Sequence, residues 1–260
     1  MRKSWMAGAA IAAVLGGATP ALAADEEIQV YMDEMNKAGH FGLDTHVNYV
    51  ASGDRVADFA GQEQNLHRVR VTPEWSYGLT DHIELGAYLP LMTGVDGHFA
   101  ADGVKGRIKF IAPRPETQTW FWGVNFELGR VAHRLDENPW NAELKWIAGT
   151  HNGPWTLAAN ANFDWAVKGP NTGPTTLQIA TKATYDIAPD FAIGVESYND
   201  LGPVRHLGGD LTRQEQALYL VVDKTFGDWD LDFGVGRGYG DNPDKWTIKA
   251  IIGVPIDRRK

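Results

Sequence analysis

The chain has no cysteine. That excludes disulfides, a lipidated cysteine and thiol-ligated metals. It also lacks any long uninterrupted apolar run after residue 23, so no transmembrane helix is expected. Positive charge is scarce. The net charge is −9, and −11 once Arg2 and Lys3 are removed with the leader described below. Such a chain is a poor nucleic-acid binder, because phosphate contacts need a basic surface. Serine is rare too: after the leader it occurs only at Ser52, Ser76 and Ser197, none of them in Gly-x-Ser-x-Gly. No catalytic nucleophile beside a histidine is legible, so no enzyme and no catalytic residue is expected. The eight histidines show no His-x-x-x-His spacing. His82 reads as facing a lumen, and His98, His133 and His206 as loop residues. No metal site and no cofactor are expected. Asp230 and Asp232 share one face but lack a calcium-loop context.

Arg2 and Lys3 precede a short apolar run, Trp5–Leu15, and small residues ending in Ala21-Leu22-Ala23. This is the layout of a secretory signal peptide spanning residues 1–23, cleaved after Ala23. The run is too short to span a bilayer, and Gly16, Gly17 and Pro20 break it. Residues 24–38 fit neither a helical nor a strand period. They read as a periplasmic lead-in or a short helix ahead of one domain, residues 39–260.

That domain is dominated by alternation. Along Trp155–Val167, Trp155, Leu157, Ala159, Ala161, Phe163, Trp165 and Val167 share one face, and Thr156, Asn160, Asn162 and Asp164 share the other. A strand sends successive side chains to opposite faces, so one side is apolar and the other wet. The pattern recurs over His67–Leu79, Ile83–Leu91, Lys105–Phe110, Trp120–Leu128, Trp140–Trp146, Leu177–Ile187, Phe191–Glu196, Trp229–Val235 and Trp246–Ile256. Arg213–Lys224 has two competing registers: Leu218, Leu220 and Val222 against Ala217, Tyr219 and Val221. Phe41–Val50 alternates less cleanly. The count is about twelve strands, the even number expected of a bacterial barrel.

Connections alternate in length. Short ones lie at Gly78–Asp81, Gly149–Pro154, Ala188–Asp190 and Phe226–Asp228, with Ala112–Thr119 slightly longer. Long ones lie at Ser52–Gln64, Thr93–Gly103, Ala132–Pro139, Gly169–Thr175, Asn199–Thr212 and Gly238–Lys245. Short turns on one rim and long loops on the other are the signature of an outer-membrane barrel. The fold class is therefore all-β: one antiparallel up-and-down transmembrane barrel. A mean hydropathy of −0.30 fits, since only alternate residues need be apolar.

A soluble barrel also alternates, with its apolar face inward. Tryptophan decides between the two. Of ten tryptophans, all but Trp5 of the leader fall on the apolar face. Trp75, Trp120, Trp122, Trp155 and Trp229 flank short turns; Trp140, Trp165 and Trp246 flank long loops. Two belts of indoles mark two membrane interfaces. The expected partners are outer-membrane lipid and a small-molecule solute, with the chain a monomer.

The wet face then lines a lumen. Its expected lining residues are Arg68, Arg70, Glu74, Glu84, Lys105, Arg107, Lys109, Glu127, Glu143, Lys145, Asn160, Asn162, Asp164, Lys182, Glu196 and Lys249. They read either as a charged constriction that selects and binds solutes, or as a salt-bridge lattice bracing a narrow barrel. Gly234, Gly236, Gly238 and Gly240 repeat with period two and no helix follows, so they are no dinucleotide fingerprint. They make room in the lumen or allow strand curvature.

Gly78-Leu79-Thr80-Asp81, Tyr198-Asn199-Asp200-Leu201-Gly202-Pro203, and Gly234–Gly240 followed by Trp246-Thr247-Ile248-Lys249-Ala250-Ile251-Ile252-Gly253-Val254-Pro255 resemble the outer-membrane barrel family grouped with the MetA-pathway of phenol degradation proteins. The resemblance implies a bacterial outer-membrane barrel serving uptake of small, often aromatic or hydrophobic compounds. It transfers no binding residue. The alternative function is a closed structural or adhesive barrel that acts through its extracellular loops.

Overall fold

A computed structural model describes residues 27–55, 57, 59–93, 97–207 and 209–257. The expected leader and its cleavage point at Ala23 lie outside the described residues. The strands are β1 (Phe41–Gly53), β2 (Val69–Thr80), β3 (Ile83–Tyr88), β4 (Leu91–Thr93), β5 (Phe99–Ala101), β6 (Gly103–Ile111), β7 (Trp120–Val131), β8 (Trp140–Asn152), β9 (Trp155–Lys168), β10 (Thr176–Ala188), β11 (Phe191–Pro203), β12 (Glu215–Phe226), β13 (Trp229–Gly240) and β14 (Asp244–Pro255). Every pairing among them is antiparallel and mostly between sequence neighbours, and β1 closes the ring against β14. Asn48 sits opposite Lys249 on one side and Arg70 on the other.

The result is a closed barrel of twelve staves. β3 and β4 form one stave, interrupted at Leu89-Pro90; β5 and β6 form the next, interrupted at Asp102. β2 pairs with β3 near the short turns and with β4 near the long loops. Pro90 has no N–H to give a ladder, which accounts for the break. Among the described residues the elements outside the sheet are two 3-10 turns, Val204–His206 and Leu211–Arg213.

The two faces follow the alternation. Trp75, Trp120, Trp122, Trp140, Trp146, Trp155, Trp229 and Trp246 are exposed on the outer face, and Trp165 is half-buried beside Phe126. Trp155 meets Tyr185 edge-on with ring centres 4.9 Å apart, and Trp122 stacks on Trp146 at 6.3 Å. Wide aromatic surfaces on the outside of a closed barrel suit a lipid interface. The ambiguous strand β12 resolves cleanly: Leu218 and Leu220 are exposed, whereas Tyr219 and Val221 are buried.

Three expectations need correction. His82 does not face the lumen; it lies exposed in the β2–β3 turn. The β13–β14 link is not long, because the strands run on to Gly240 and from Asp244. Residues 27–38 form no helix. Residues 27–36 lie inside the barrel, and residues 37 and 38 are exposed at its rim.

Candidate functional site

The segment enters at the short-turn rim. Gly39 N–H donates to Gly78 C=O (2.7 Å), and Gly78 N–H to His40 C=O (3.0 Å). A Cβ on Gly78 would stand 2.2 Å from Lys37 O and 2.5 Å from Asn36 O, so glycine there lets two stretches of backbone pass in contact. Past that point the segment is held by wall side chains that grip its main chain. Glu84 accepts from Asn36 N–H (2.6 Å). Lys109 Nζ donates to Glu34 C=O (2.7 Å). Asn160 takes both backbone groups of Tyr31: its Oδ1 accepts the N–H (2.6 Å) and its Nδ2 donates to the C=O (2.9 Å). Lys249 Nζ donates to Ile28 C=O (3.0 Å). A chain without its own helical or sheet bonds must satisfy its amides somewhere, and here the wall supplies the partners.

Side chains complete the fit. Ile28, Val30 and Tyr31 pack into one apolar cluster with Ile111, Phe121, Ile147, Ala158, Ala180, Tyr198, Tyr219 and Val221. These wall residues point inward, against the polar trend of the lumen face. Gly236 makes room for them: a Cβ there would stand 2.3 Å from the Tyr219 ring. The Tyr31 ring lies among three cations, 4.0 Å from Lys145 Nζ, 5.3 Å from Lys109 Nζ and 5.9 Å from the Arg107 guanidinium. Its hydroxyl is 2.7 Å from Tyr88 Oη and 3.3 Å from carboxylate oxygens of Glu27 and Glu127. Near the rim, Asp33 is held by Arg114 and by His151 Nε2 (2.9 Å).

Two ionic networks flank the segment. In the first, Arg107 binds Glu74 (Nε to Oε1, 2.5 Å) and Glu84 (Nη2 to Oε1, 2.7 Å), and His46 stands 3.4 Å from Glu74. In the second, Lys182 reaches Glu196 (3.2 Å), Asp223 (2.9 Å) and Asp232 (2.7 Å), while Lys249 binds Glu196 (2.5 Å) and Asp232 (3.1 Å). Tyr198 Oη donates to Glu196 (2.7 Å). Buried charges are tolerable when paired and hydrogen-bonded in this way.

The expected lining residues fall as follows. Arg70, Glu74, Glu84, Arg107, Lys109, Glu127, Lys145, Asn160, Asn162, Lys182, Glu196 and Lys249 are buried within the barrel. Lys105 is half-buried, 3.8 Å from Glu127. Glu143 pairs with Lys145 at 2.9 Å. Asp164 is half-buried opposite Thr176. Arg68 precedes β2 at the long-loop rim, 3.4 Å from Glu63. Sequence reasoning missed Tyr31, Asp33 and Asn36 of the segment and Asp223 and Tyr198 of the wall; it placed Asp232 on the polar face without giving it a partner.

The segment divides the remaining space. On the short-turn side lies a cavity of about 630 Å³, bounded by residues 29–32 and 34–36 and by Asp44, Lys182, Asp223, Asp230 and Asp232 among others. Asp190 stands at its mouth, and the hydrogen bond from Lys224 holds its carboxyl below the usual carboxylate range. On the long-loop side lies a separate pocket of about 60 Å³, with Ile28, Arg70, Tyr198 and Tyr219 in its lining.

The fold matches those of known channels. An outer-membrane channel from Pseudomonas putida F1 aligns over 88% of this chain and 100% of its own, with 14% identity and a TM-score of 0.62. The KdgM porin, solved in complex with disordered oligogalacturonate, aligns over 83% of this chain and 99% of its own, with 8% identity and a TM-score of 0.54. The NanC porin covers 83% and 100%, with 10% identity and a TM-score of 0.53. The fold is thus that of outer-membrane channel barrels. No protein-family model and no curated protein matches the chain, so the grouping with phenol-degradation proteins rests on turn and strand resemblance alone.

Proposed function

We propose that this chain is an outer-membrane channel for small molecules, held closed by its own N-terminal segment. One observation supports the reading most: the bore is occupied by residues 27–36 as well as by wall side chains. A barrel meant only as a brace fills its bore with wall side chains. Here part of the filling is a strip of chain attached by hydrogen bonds, ion pairs and packing, all reversible. The 630 Å³ cavity beneath it is of the size that small-molecule sites have. Its walls are charged, so the lumen is wet and polar, while the slot around Tyr31 accepts an aromatic ring. That slot agrees with the small aromatic compounds that the resemblance implies.

The test is solute flux. Full-length protein is reconstituted in liposomes, and swelling is followed with phenol-sized aromatic and polar solutes. Wild type should swell the vesicles slowly. Asp33→Asn, which loosens the segment at its rim without touching the lumen wall, should swell them faster. No flux from either folded protein contradicts the channel.

A further inference from the structure

Besides the groups that hold the side chains of Tyr31, Asp33 and Asn36, four wall residues read the segment's main chain. Lys249, Asn160, Lys109 and Glu84 come from β14, β9, β6 and β3, and each is at least nine-tenths buried. Between them they engage the carbonyls of residues 28, 31 and 34 and the N–H groups of residues 31 and 36. The Asn160 amide is the most informative. It matches an N–H and a C=O of the same residue at once, a pair that every non-proline residue carries and that hydroxylated or purely aromatic solutes lack. Side chains are read at Asp33, by Arg114 and His151, and at Asn36, by Ser76 and Glu84. An aromatic ring fits among Lys145, Lys109 and Arg107, and Ile28 and Val30 join the apolar cluster that includes Tyr198 and Tyr219.

We infer that the lumen is a binding site for short peptides in an open, unhydrogen-bonded conformation with an aromatic residue near the middle, and that residues 28–36 occupy it as a built-in mimic of such a ligand. This rests on the channel reading, and it names the ligand class for that same site. The main-chain part of this grip does not depend on side-chain identity, as in the pairing of a peptide added to a sheet. A tethered segment competes at an effective concentration in the millimolar range, so a free peptide gains access only when the tethered one is weakened.

The experiment uses the full chain with Tyr31→Ala, which empties the aromatic slot but leaves the Asn160 wall group in place. Currents are recorded in planar bilayers with a synthetic peptide copying residues 28–36 added from the short-turn side. The peptide should block the current. The same peptide N-methylated at the tyrosine amide should need at least about tenfold more for equal block, since one buried hydrogen bond is lost. Adding Asn160→Leu should remove the preference between the two peptides. Wild type should need more peptide than Tyr31→Ala. If Tyr31→Ala does not assemble, Asp33→Asn replaces it in the same comparison.

Equal block by methylated and unmethylated peptide overturns the inference. So does block by a neutral linear oligosaccharide at the same concentration, or no block while small ions still pass; in that last case the channel itself stands. No current from wild type or any variant fails the channel reading instead.

Discussion

The wall and the segment inside it are built on different bonds. Each wall strand shares a backbone ladder with its neighbours, such as the unbroken β7–β8 pairing from Trp120↔Thr150 to Arg130↔Trp140. Within lipid those ladders have no substitute, because no water is present to satisfy an opened edge. The segment has no ladder. Past Gly78 it is held by side chains of distant strands, and water filling the bore could take over each of those bonds. The wall's bonds thus have no replacement, whereas those of the segment do.

The comparison breaks most visibly at the lipid face. Leu144→Arg puts a charge on the outer face of β8, which costs about 2–4 kcal/mol near the bilayer midplane. It should block assembly, read as loss of the heat-modifiable band of the folded barrel. Asn141→Arg, on the opposite face of the same strand, should assemble nearly as well as wild type. Equal defects would mean that the two faces are misassigned.

Lys249→Met tests the wall from inside. It takes one of two lysines from Glu196 and Asp232, whose side chains are 1% and 17% exposed. Breaking a buried pair costs about 3–5 kcal/mol. The urea midpoint of the folded barrel should fall accordingly.

A smaller effect, confined to the segment, should follow from Asn160→Leu. Two hydrogen bonds to Tyr31 disappear, a loss of about 1–3 kcal/mol. Amide exchange over residues 28–36 should speed up while the β7–β8 ladder stays protected. Matching acceleration in both would show that segment and wall open together. The smallest effect belongs to Asp33→Asn. Its partners Arg114 and His151 are partly exposed, so the stability change should stay below about 1 kcal/mol. Its unfolding midpoint should be close to that of wild type even as its flux rises.

The wall was legible because lipid and water impose opposite demands on alternate residues. Trp155–Val167 declares both faces without any knowledge of its neighbours. β12 did not, and the reason lies in the segment. Tyr219 and Val221 are apolar on the inward face, where they join the buried cluster that holds Ile28 and Val30, so both faces of that strand are apolar. The same holds for Phe121 and Ile147, which interrupt an otherwise polar inward row. Read together, these inward apolar residues are the trace that the filled lumen leaves in the sequence. Residues 27–38 carry no period of their own, since their partners are side chains up to 221 positions away. Paired charges such as Arg107 with Glu74 and Glu84 could be assigned to the lumen from alternation, but not to each other, because their pairing depends on closure of the ring.

Single-channel currents of full-length wild type and full-length Tyr31→Ala, in the same bilayer and salt, report directly whether the segment closes the bore. Wild type should show rare, brief openings, and the variant frequent or sustained openings of larger conductance. Identical currents from the two folded proteins, open or silent, would contradict it.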